Sequence, residues 1–251
     1  MKIAFRLILL IVLTVQLPGC KSSNSDRQDK SESEEWIMLF DGKTFNGWNT
    51  LGSDTVFTHF WKIEEGILKK VDRGNVPERK DGQPMEGGDL ITVESFENYE
   101  LVFDWKIFKG GNSGLKYNVS EEMSINSGSR HSALGFEYQM LDDADEKYSG
   151  KLKASQYTGS LYDLLPASNA HPSQIGSFNT SRIKIEGRKV EHWLNGNKVV
   201  EYEFDSPELE EAYKNSKFKD IPGFHHKRKG HIVLQDHTSE AWFRNIKIRK
   251  L

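Results

Sequence analysis

The sequence predicts an all-β protein in which two antiparallel sheets pack face to face. Three observations support this prediction. Short runs of alternating apolar and polar residues dominate the chain, turn residues (Gly, Asn and Asp) separate these runs, and helical periodicity is scarce. Because the strands do not alternate with helices, a parallel sheet with crossover helices is disfavoured. We expect one sheet face to stay open as a groove.

The first 19 residues indicate export. Lys2 and Arg6 supply positive charge, and the mostly apolar run at residues 7–17 is too short to span a bilayer comfortably. Residues 1–19 are therefore predicted to be a signal peptide that is removed.

Cys20 is the single cysteine of the chain. Together with Leu17-Pro18-Gly19 it resembles a bacterial lipobox, in which the cysteine is acylated and becomes the new N-terminus. The alternative, an ordinary exported protein with a spare thiol, is disfavoured because a lone cysteine at this position has no disulfide partner. We predict a lipoprotein of the cell envelope, periplasmic or associated with the outer membrane, that contacts the membrane through its lipid anchor.

A polar segment follows Cys20. Residues 21–35 are rich in Ser, Asp, Lys and Glu, so residues 20–35 are predicted to be a disordered tether. Residues 36–251 have the size of one all-β sandwich. The formal net charge of −3 provides no basic surface for nucleic acid, and a neutral, polyhydroxylated partner fits better.

The first half of the domain begins with a predicted hairpin. Residues 60–63 and 67–69 flank Glu64-Glu65-Gly66, whose glycine suits the positive φ of the turn. Residues 73–88 carry Gly, Pro and charges, which predicts a surface loop. A long strand at residues 99–107 places five apolar side chains on one face, so we expect it to be central.

The second half predicts five further strands. Residues 182–186 and 189–194 form a hairpin, and Asn195-Gly196 is a type I′ turn signal that leads into residues 198–202. The chain closes with strands at residues 231–237 and 241–248. Only residues 207–213, and to a lesser degree 220–224, are expected to be helical or irregular.

Two strands carry polar stripes. Side chains alternate along a strand, so each of these strands presents apolar groups on one face and reactive polar groups on the other. In the strand from Gly135 the apolar face holds Phe136, Tyr138 and Met140, and the polar face holds Glu137 and Gln139. In the strand from Gly114 the apolar face holds Leu115, Tyr117 and Val119, and the polar face holds Lys116 and Asn118.

These stripes have two interpretations. They are the water-facing sides of ordinary antiparallel strands, or they are part of a site. The mixture of Glu, Gln, Asn and a single Lys, beside Arg130-His131 and Gln235-Asp236-His237, is typical of convergent sugar-binding or proton-transfer groups.

Six ordered segments together resemble one family, the 3-keto-disaccharide hydrolase domain family, over nearly the whole mature chain. The segments are Leu39-Phe40-Asp41-Gly42-Lys43 with Gly47-Trp48, Trp61-Lys62-Ile63 with Gly66, Asn112-Ser113-Gly114, residues 137–142, residues 158–163, and residues 234–237 with 242–246. The resemblance implies a concanavalin-like jelly-roll sandwich and cleavage of glycosides already oxidised to a ketone at C3.

A 3-keto sugar changes what the protein must supply. The ketone acidifies the C2 hydrogen, and the group at C1 becomes a β leaving group, so elimination needs a base, an enolate stabiliser and an acid. Addition of water to the unsaturated sugar would complete a net hydrolysis.

The predicted catalytic residues are Glu137, His131, His237 and Lys116. Glu137 is a candidate base, metal ligand or hydroxyl acceptor, and the structural alternative is an ion pair with Lys116. Lys116, His131 or a bound divalent cation could stabilise the enolate oxygen, and the cofactor is otherwise unidentified. His237 suits proton transfer or metal binding, and the alternative is an ordinary surface histidine.

The predicted substrate-binding residues are Gln139, Asn112, Arg130, Asp142, Tyr162, Asp163 and Gln235. Tyr162 would stack on a sugar ring or belong to the core. The pattern Glu137-x-Gln139-x-x-Asp142 departs from the Glu-x-Asp-x-x-Glu of laminarinase-type retaining enzymes, whose two carboxylates stand about 5–5.5 Å apart. An ordinary retaining glycosidase is therefore disfavoured, and the rival function is a non-catalytic carbohydrate-binding lipoprotein.

Overall fold

The computed structural model describes residues 35–76, 87–127 and 131–251. The signal peptide, Cys20 and nearly all of the tether lie outside the described residues, as do Arg130 and most of the loop predicted at residues 73–88. The lipid anchor and the location in the cell envelope therefore stay predictions. In the described part of the chain no helix is both long and apolar enough to cross a membrane.

Thirteen strands and two α-helices make up the described chain. The strands are β1 (Ile37–Met38), β2 (Trp48–Thr50), β3 (Trp61–Glu64), β4 (Ile67–Lys70), β5 (Leu90–Phe96), β6 (Tyr99–Ile107), β7 (Asn112–Val119), β8 (Phe136–Leu141), β9 (Asn179–Glu186), β10 (Lys189–Leu194), β11 (Asn197–Glu203), β12 (Gly230–Leu234) and β13 (Ala241–Lys250). The helices are α1 (Glu121–Asn126) and α2 (Pro207–Lys214).

The strands form two antiparallel sheets, as predicted, in a concanavalin-like jelly-roll sandwich. An eight-stranded sheet has the order β11-β10-β9-β6-β13-β4-β3, with β1 pairing to β13. A five-stranded sheet has the order β2-β5-β12-β7-β8. The strand β6 lies between β9 and β13, which confirms its predicted central place.

The predicted turns have the expected backbone. Glu65 and Gly66 have φ of 53° and 75°, and Asn195 and Gly196 have φ of 48° and 85°. A type I′ turn requires positive φ at both central residues, and this geometry matches the twist of the flanking strands. Both hairpins are thereby confirmed.

Aromatic side chains from both sheets fill the core between them. Tyr138 of the five-stranded sheet is fully buried and packs edge-on against Phe103, with 5.7 Å between ring centroids. Its hydroxyl accepts a hydrogen bond from Ser181 Oγ at 2.9 Å, and Ser181 Oγ accepts one from Trp105 Nε1 at 2.8 Å. The core therefore holds a polar chain that spans the two sheets.

Replacing Tyr138 with Ala is expected to lower the free energy of unfolding by about 3–5 kcal/mol, because it opens a large cavity and deprives Ser181 of its acceptor. Urea unfolding followed by tryptophan fluorescence measures this change. A midpoint equal to that of the wild type would contradict the core position of Tyr138.

One predicted side-chain direction is wrong. Val119 does not share a face with Leu115 and Tyr117 but packs in a separate apolar cluster with Leu51, Ile91, Ala133 and Val233. Asn118 has a φ of 51°, and the pairing with β12 shifts between His231 and Val233. This β-bulge inserts one residue and turns the following side chain to the opposite face.

The strand β12 ends three residues earlier than predicted. The N–H of Gln235 still donates to the Gly114 carbonyl at 3.0 Å, but the N–H of Asp236 donates to Asp89 Oδ1 at 2.7 Å. The Asp236 N–H therefore bonds to a side chain instead of a neighbouring strand, and residues 235–237 lead into a loop.

The helical predictions are partly correct. Ser206 caps α2 by accepting from Leu209 N, and Pro207 follows it. Residues 220–223 are irregular and lead into a short 3-10 turn at Phe224–His226. The helix α1, capped by Ser120, was not predicted, because its six residues are too few to show a period.

Candidate active site

The outer face of the five-stranded sheet brings together most of the predicted polar residues. Strand pairing places Glu137 beside Lys116 and Lys116 beside Val233. In the next row, Gln139 lies beside Gly114, and Gly114 is bonded to Gln235 through the backbone. The predicted alternation of Glu137 and Gln139 away from the core is confirmed.

Glu137 occupies the space above Gly114. A Cβ atom added to Gly114 would stand 2.4 Å from Glu137 Oε1, so only glycine leaves room for the carboxylate. The side-chain amide of Gln235 lies close to this carboxylate and lowers its pKa. The Gln235 Oε1 atom is buried without a hydrogen-bond partner among the described residues. It is therefore an acceptor that a ligand hydroxyl could satisfy.

Burial raises the pKa of Glu137 above its usual value. Lys116 and Lys217 oppose this shift through their positive charge, and Asp89 reinforces it. A buried carboxyl with a raised pKa can exchange protons near neutrality, which suits acid–base chemistry.

Lys116 is bonded to Asp89 rather than to Glu137. Its Nζ atom donates to Asp89 Oδ2 at 2.8 Å and to the Ala133 carbonyl at 3.0 Å. Burial lowers the pKa of Lys116, but the charges of Asp89 and Glu137 outweigh that effect, so its pKa is raised. Lys116 is thus a fixed cation beneath the site that acts on Glu137 through its charge.

Lys217 is a second cation at the site, and it was missed by the sequence analysis. It follows α2 in a loop with no strand period, so nothing local indicates that it approaches Glu137. Its Nζ atom stands 4.3 Å from the centroid of the Tyr162 ring. Its side chain remains in contact with solvent, and the partial burial of the amine lowers its pKa while Glu137 opposes that shift.

The loop that carries Tyr162 and Asp163 lies beside Glu137 on β8. The N–H of Tyr162 donates to the Glu137 carbonyl at 2.9 Å. Asp163 is buried, and its oxygens accept from Gln156 Nε2 at 2.9 Å and from the Lys217 N–H at 2.7 Å. Asp163 therefore holds the loops that carry Tyr162 and Lys217, which is a positioning role.

Gln139 and Asp142 also bond to the protein itself. Gln139 is buried and donates to the Gln156 carbonyl at 3.3 Å. Asp142 Oδ2 accepts from the Gly110 N–H at 2.9 Å. Both side chains fix neighbouring loops.

His237 lies beside Asn112, in the loop that follows β12. Its Nε2 atom is 3.5 Å from Asn112 Nδ2, and its Nδ1 atom is 3.3 Å from Thr238 Oγ1. Burial lowers the pKa of His237, and the charges of Lys70 and Lys116 lower it further. A neutral imidazole near pH 7 can accept a proton, so this position fits its predicted role.

His131 is anchored on the neighbouring loop. Its Nδ1 atom donates to the Leu51 carbonyl at 2.9 Å, and its ring packs edge-on against Phe57 at 5.6 Å. This bond sets the ring orientation and marks Nδ1 as a protonated nitrogen. Among the residues that the structure describes, no cluster of three or more His, Cys, Asp or Glu could hold a metal ion.

The comparisons with known proteins agree with this fold. Residues 35–249 match the model of the 3-keto-alpha-glucoside-1,2-lyase-like domain. The chain is 34% identical over 240 residues to a 3-keto-disaccharide hydrolase of Bacteroides thetaiotaomicron, and the match covers 88% of this chain and 80% of that protein.

Two crystal structures from Parabacteroides distasonis ATCC 8503, of proteins provisionally named glycosyl hydrolases, are also similar. The first has 28% identity and a TM-score of 0.73, and covers 89% of this chain and 97% of that one. The second has 27% identity and a TM-score of 0.65, and covers 86% and 100%.

Proposed function

The chain belongs to the 3-keto-alpha-glucoside-1,2-lyase-like domain family, as its ordered segments predicted, and from this premise we propose that it cleaves the glycosidic bond of 3-keto-disaccharides or related 3-keto-glycosides. The family and its named relative support a hydrolase or lyase that acts on carbohydrates. The observation that carries the proposal is the buried Glu137 carboxyl, held between two lysines and the Gln235 amide on the outer sheet face.

The proposed reaction begins at C2. Glu137 takes the C2 proton, the C–H electrons form the C1=C2 bond, and the C1–O bond breaks with its electrons on the leaving oxygen. The positive charge of Lys217 stabilises the developing enolate at the C3 ketone, with Lys116 acting through its fixed charge. Glu137 passes the proton that it took from C2 to the leaving oxygen. His237, a neutral imidazole near pH 7, accepts a proton from the water that adds at C1 and returns a proton to C2.

Glu137 has no second carboxylate in its strand that is suited to a retaining hydrolysis, and this favours elimination. A retaining glycosidase needs a nucleophile and an acid about 5–5.5 Å apart. Position 139 carries an amide, and Asp142 is bonded to the Gly110 N–H. The proposed chemistry relies on the substrate ketone, which makes a single carboxylate sufficient.

Turnover of 3-keto substrates tests the function. The purified protein is incubated with 3-keto-glucosides and 3-keto-disaccharides, and the released sugar or aglycone is quantified by chromatography with and without a chelator. We expect release without the chelator. Release that persists with the chelator would show that no divalent cation is required, and release that the chelator abolishes would show that one is. Saturable binding with no release from any substrate would favour the carbohydrate-binding alternative.

The Lys217→Met variant is expected to lower kcat/KM by about 10- to 100-fold, because it removes a charge that stabilises the enolate. It also moves the acid limb of the pH profile. Activity that needs ionised Glu137 rises as pH passes the Glu137 pKa, and Lys217 lowers that pKa. Losing Lys217 raises the pKa, so the limb shifts to higher pH.

The matched control is Lys219→Met, which removes an exposed lysine two residues away. It is expected to keep the wild-type rate and profile. Equal profiles for Lys217→Met and Lys219→Met would remove Lys217 from the site.

A further inference from the structure

Lys70 is a charged residue on the core side of the eight-stranded sheet. It is the last residue of β4, where alternation places it on the same face as Leu68, and both side chains are fully buried. Fully buried lysines are rare and are found with a partner. The proposed reaction does not use Lys70.

The partner of Lys70 comes from the loop that leaves the five-stranded sheet. Lys70 Nζ and Asp236 Oδ1 are 2.9 Å apart, and their side chains are 0% and 2% exposed. A buried ion pair of this kind is weak evidence for stability, since an apolar pair of similar volume is often as stable. The Lys70–Asp236 pair therefore matters more for the position of the residues around Asp236 than for stability.

Asp236 has close neighbours besides Lys70. Its N–H donates to Asp89 Oδ1 at 2.7 Å, and the other Asp89 oxygen accepts from Lys116 and from the Ala133 N–H, each at 2.8 Å. A Cβ atom added to Gly87 would stand 2.2 Å from Asp236 Oδ2, so the chain passes directly over this carboxylate. The network joins Lys70 of one sheet to Lys116 of the other.

The residues on either side of Asp236, Gln235 and His237, are both predicted site residues. The Gln235 amide lies close to the Glu137 carboxylate, and His237 lies beside Asn112. Beyond Leu234 the backbone has left the regular ladder, so strand pairing no longer sets where residues 236 and 237 point. The Asp236 N–H bond to Asp89 and the contact of the Asp236 side chain with Lys70 provide that constraint.

We propose that Lys70 is a positioning residue for the proposed reaction: by holding Asp236 from the opposite sheet, it places the Gln235 amide close to Glu137 and His237 beside Asn112. This inference rests on the proposed function for its activity readout. It also predicts a change at His237 that can be measured without substrate.

The His237 readout follows from the charges around the imidazole. Lys70 from β4, Arg73 from the following 3-10 turn (Arg73–Asn75) and Lys116 from β7 lower its pKa, and Asp236 raises it by less than Lys70 lowers it. Replacing Lys70 and Asp236 together by apolar residues therefore raises the His237 pKa.

The test compares Lys70→Met with the double variant Lys70→Met/Asp236→Leu in the full-length protein. The single variant leaves a buried carboxyl unpaired and is expected to lower Tm. The double variant restores Tm but is expected to keep kcat/KM reduced by about 10- to 100-fold, because the loop has lost its constraint. NMR titration of His237 in the double variant should show its midpoint at higher pH than in the wild type.

The matched control is Lys69→Met, which removes the neighbouring lysine of the opposite face, paired with Glu64 at 2.7 Å. It should leave kcat/KM and the His237 titration unchanged. A double variant with wild-type kcat/KM and an unshifted His237 titration would show a purely structural pair and overturn the inference. If the wild type cleaves no 3-keto substrate, the proposed function fails, and the positioning role is then decided by whether the NMR signals of Gln235 and His237 move in the double variant and stay in place in Lys69→Met.

Discussion

Replacement of Glu137 by Gln is expected to lower kcat/KM for a 3-keto-glycoside by about 10²- to 10⁴-fold, the range typical of losing a general acid or base. The substitution keeps nearly the same shape and the neighbouring Gln235, but it removes the group that takes the C2 proton. Initial rates of product release measure the effect.

The same substitution is not expected to destabilise the fold. Burial raises the pKa of Glu137 in the folded protein, so the ionised carboxyl disfavours folding. The contribution of Glu137 to stability is fully present below its unfolded pKa and is lost as pH rises through its folded pKa. The Glu137→Gln variant has no carboxyl to ionise and does not lose this stability. The difference between its Tm and that of the wild type should therefore increase as pH rises from the unfolded pKa through the folded pKa.

Glu100→Gln is the matched control, since Glu100 is 5% exposed and Glu137 is 7% exposed. Glu100 lies on β6 of the other sheet and pairs with Arg182 at 3.0 Å and with Arg249. We expect this variant to lose stability and to keep its rate. The opposite pattern, with Glu137→Gln active and unfolding at a lower temperature, would make Glu137 a structural ion-pair partner.

A substrate carrying deuterium at C2 is expected to lose that label to solvent water during turnover. Elimination breaks the C2–H bond, and hydration of the double bond returns a proton from the base or from water. Mass spectrometry of the released 3-keto sugar measures the label. The parent glycosides without a ketone should be inert, because their C2 hydrogen is not acidic and the site offers no nucleophile and acid pair.

The variants connect this isotope experiment to individual residues. Glu137→Gln should suppress exchange and cleavage together if Glu137 is the base, and variants of His237 and His131 follow in that order. Product formed at full rate with all of its C2 deuterium would rule out elimination and would point to attack of water at C1.

Much of the fold follows from local sequence. Gly66, Asn195 and Gly196 tolerate the positive φ that a type I′ turn requires, and these turns set the register of their hairpins. The alternation of Phe136, Tyr138 and Met140 against Glu137 and Gln139 needs no tertiary information, since the period of a strand is two. One face of that strand had to be buried, and this identified both the core and the polar stripe.

Prediction from local sequence was wrong where a contact with a distant residue interrupted the two-residue alternation of a strand. Val119 changes face because Asn118 adopts a left-handed conformation in a bulge against β12. The side chain of Asn118 donates to the Lys227 carbonyl at 3.0 Å. The end of β12 is set by Asp89, which takes the Asp236 N–H. Bulges and strand ends of this kind depend on partners far away in the chain.

The amino-acid sequence was sufficient to establish the sandwich, the family and the polar strand face with Glu137, because each rests on alternation, turn chemistry or ordered motifs that neighbouring residues carry. Folding in three dimensions assigned the roles on that face. It paired Lys116 with Asp89, brought Lys217 to Glu137, and joined Lys70 to Asp236 across the two sheets. Electrostatic partners are selected by distance in space, and residues separated by 27 to more than 160 positions leave no local pattern that reveals such a pairing.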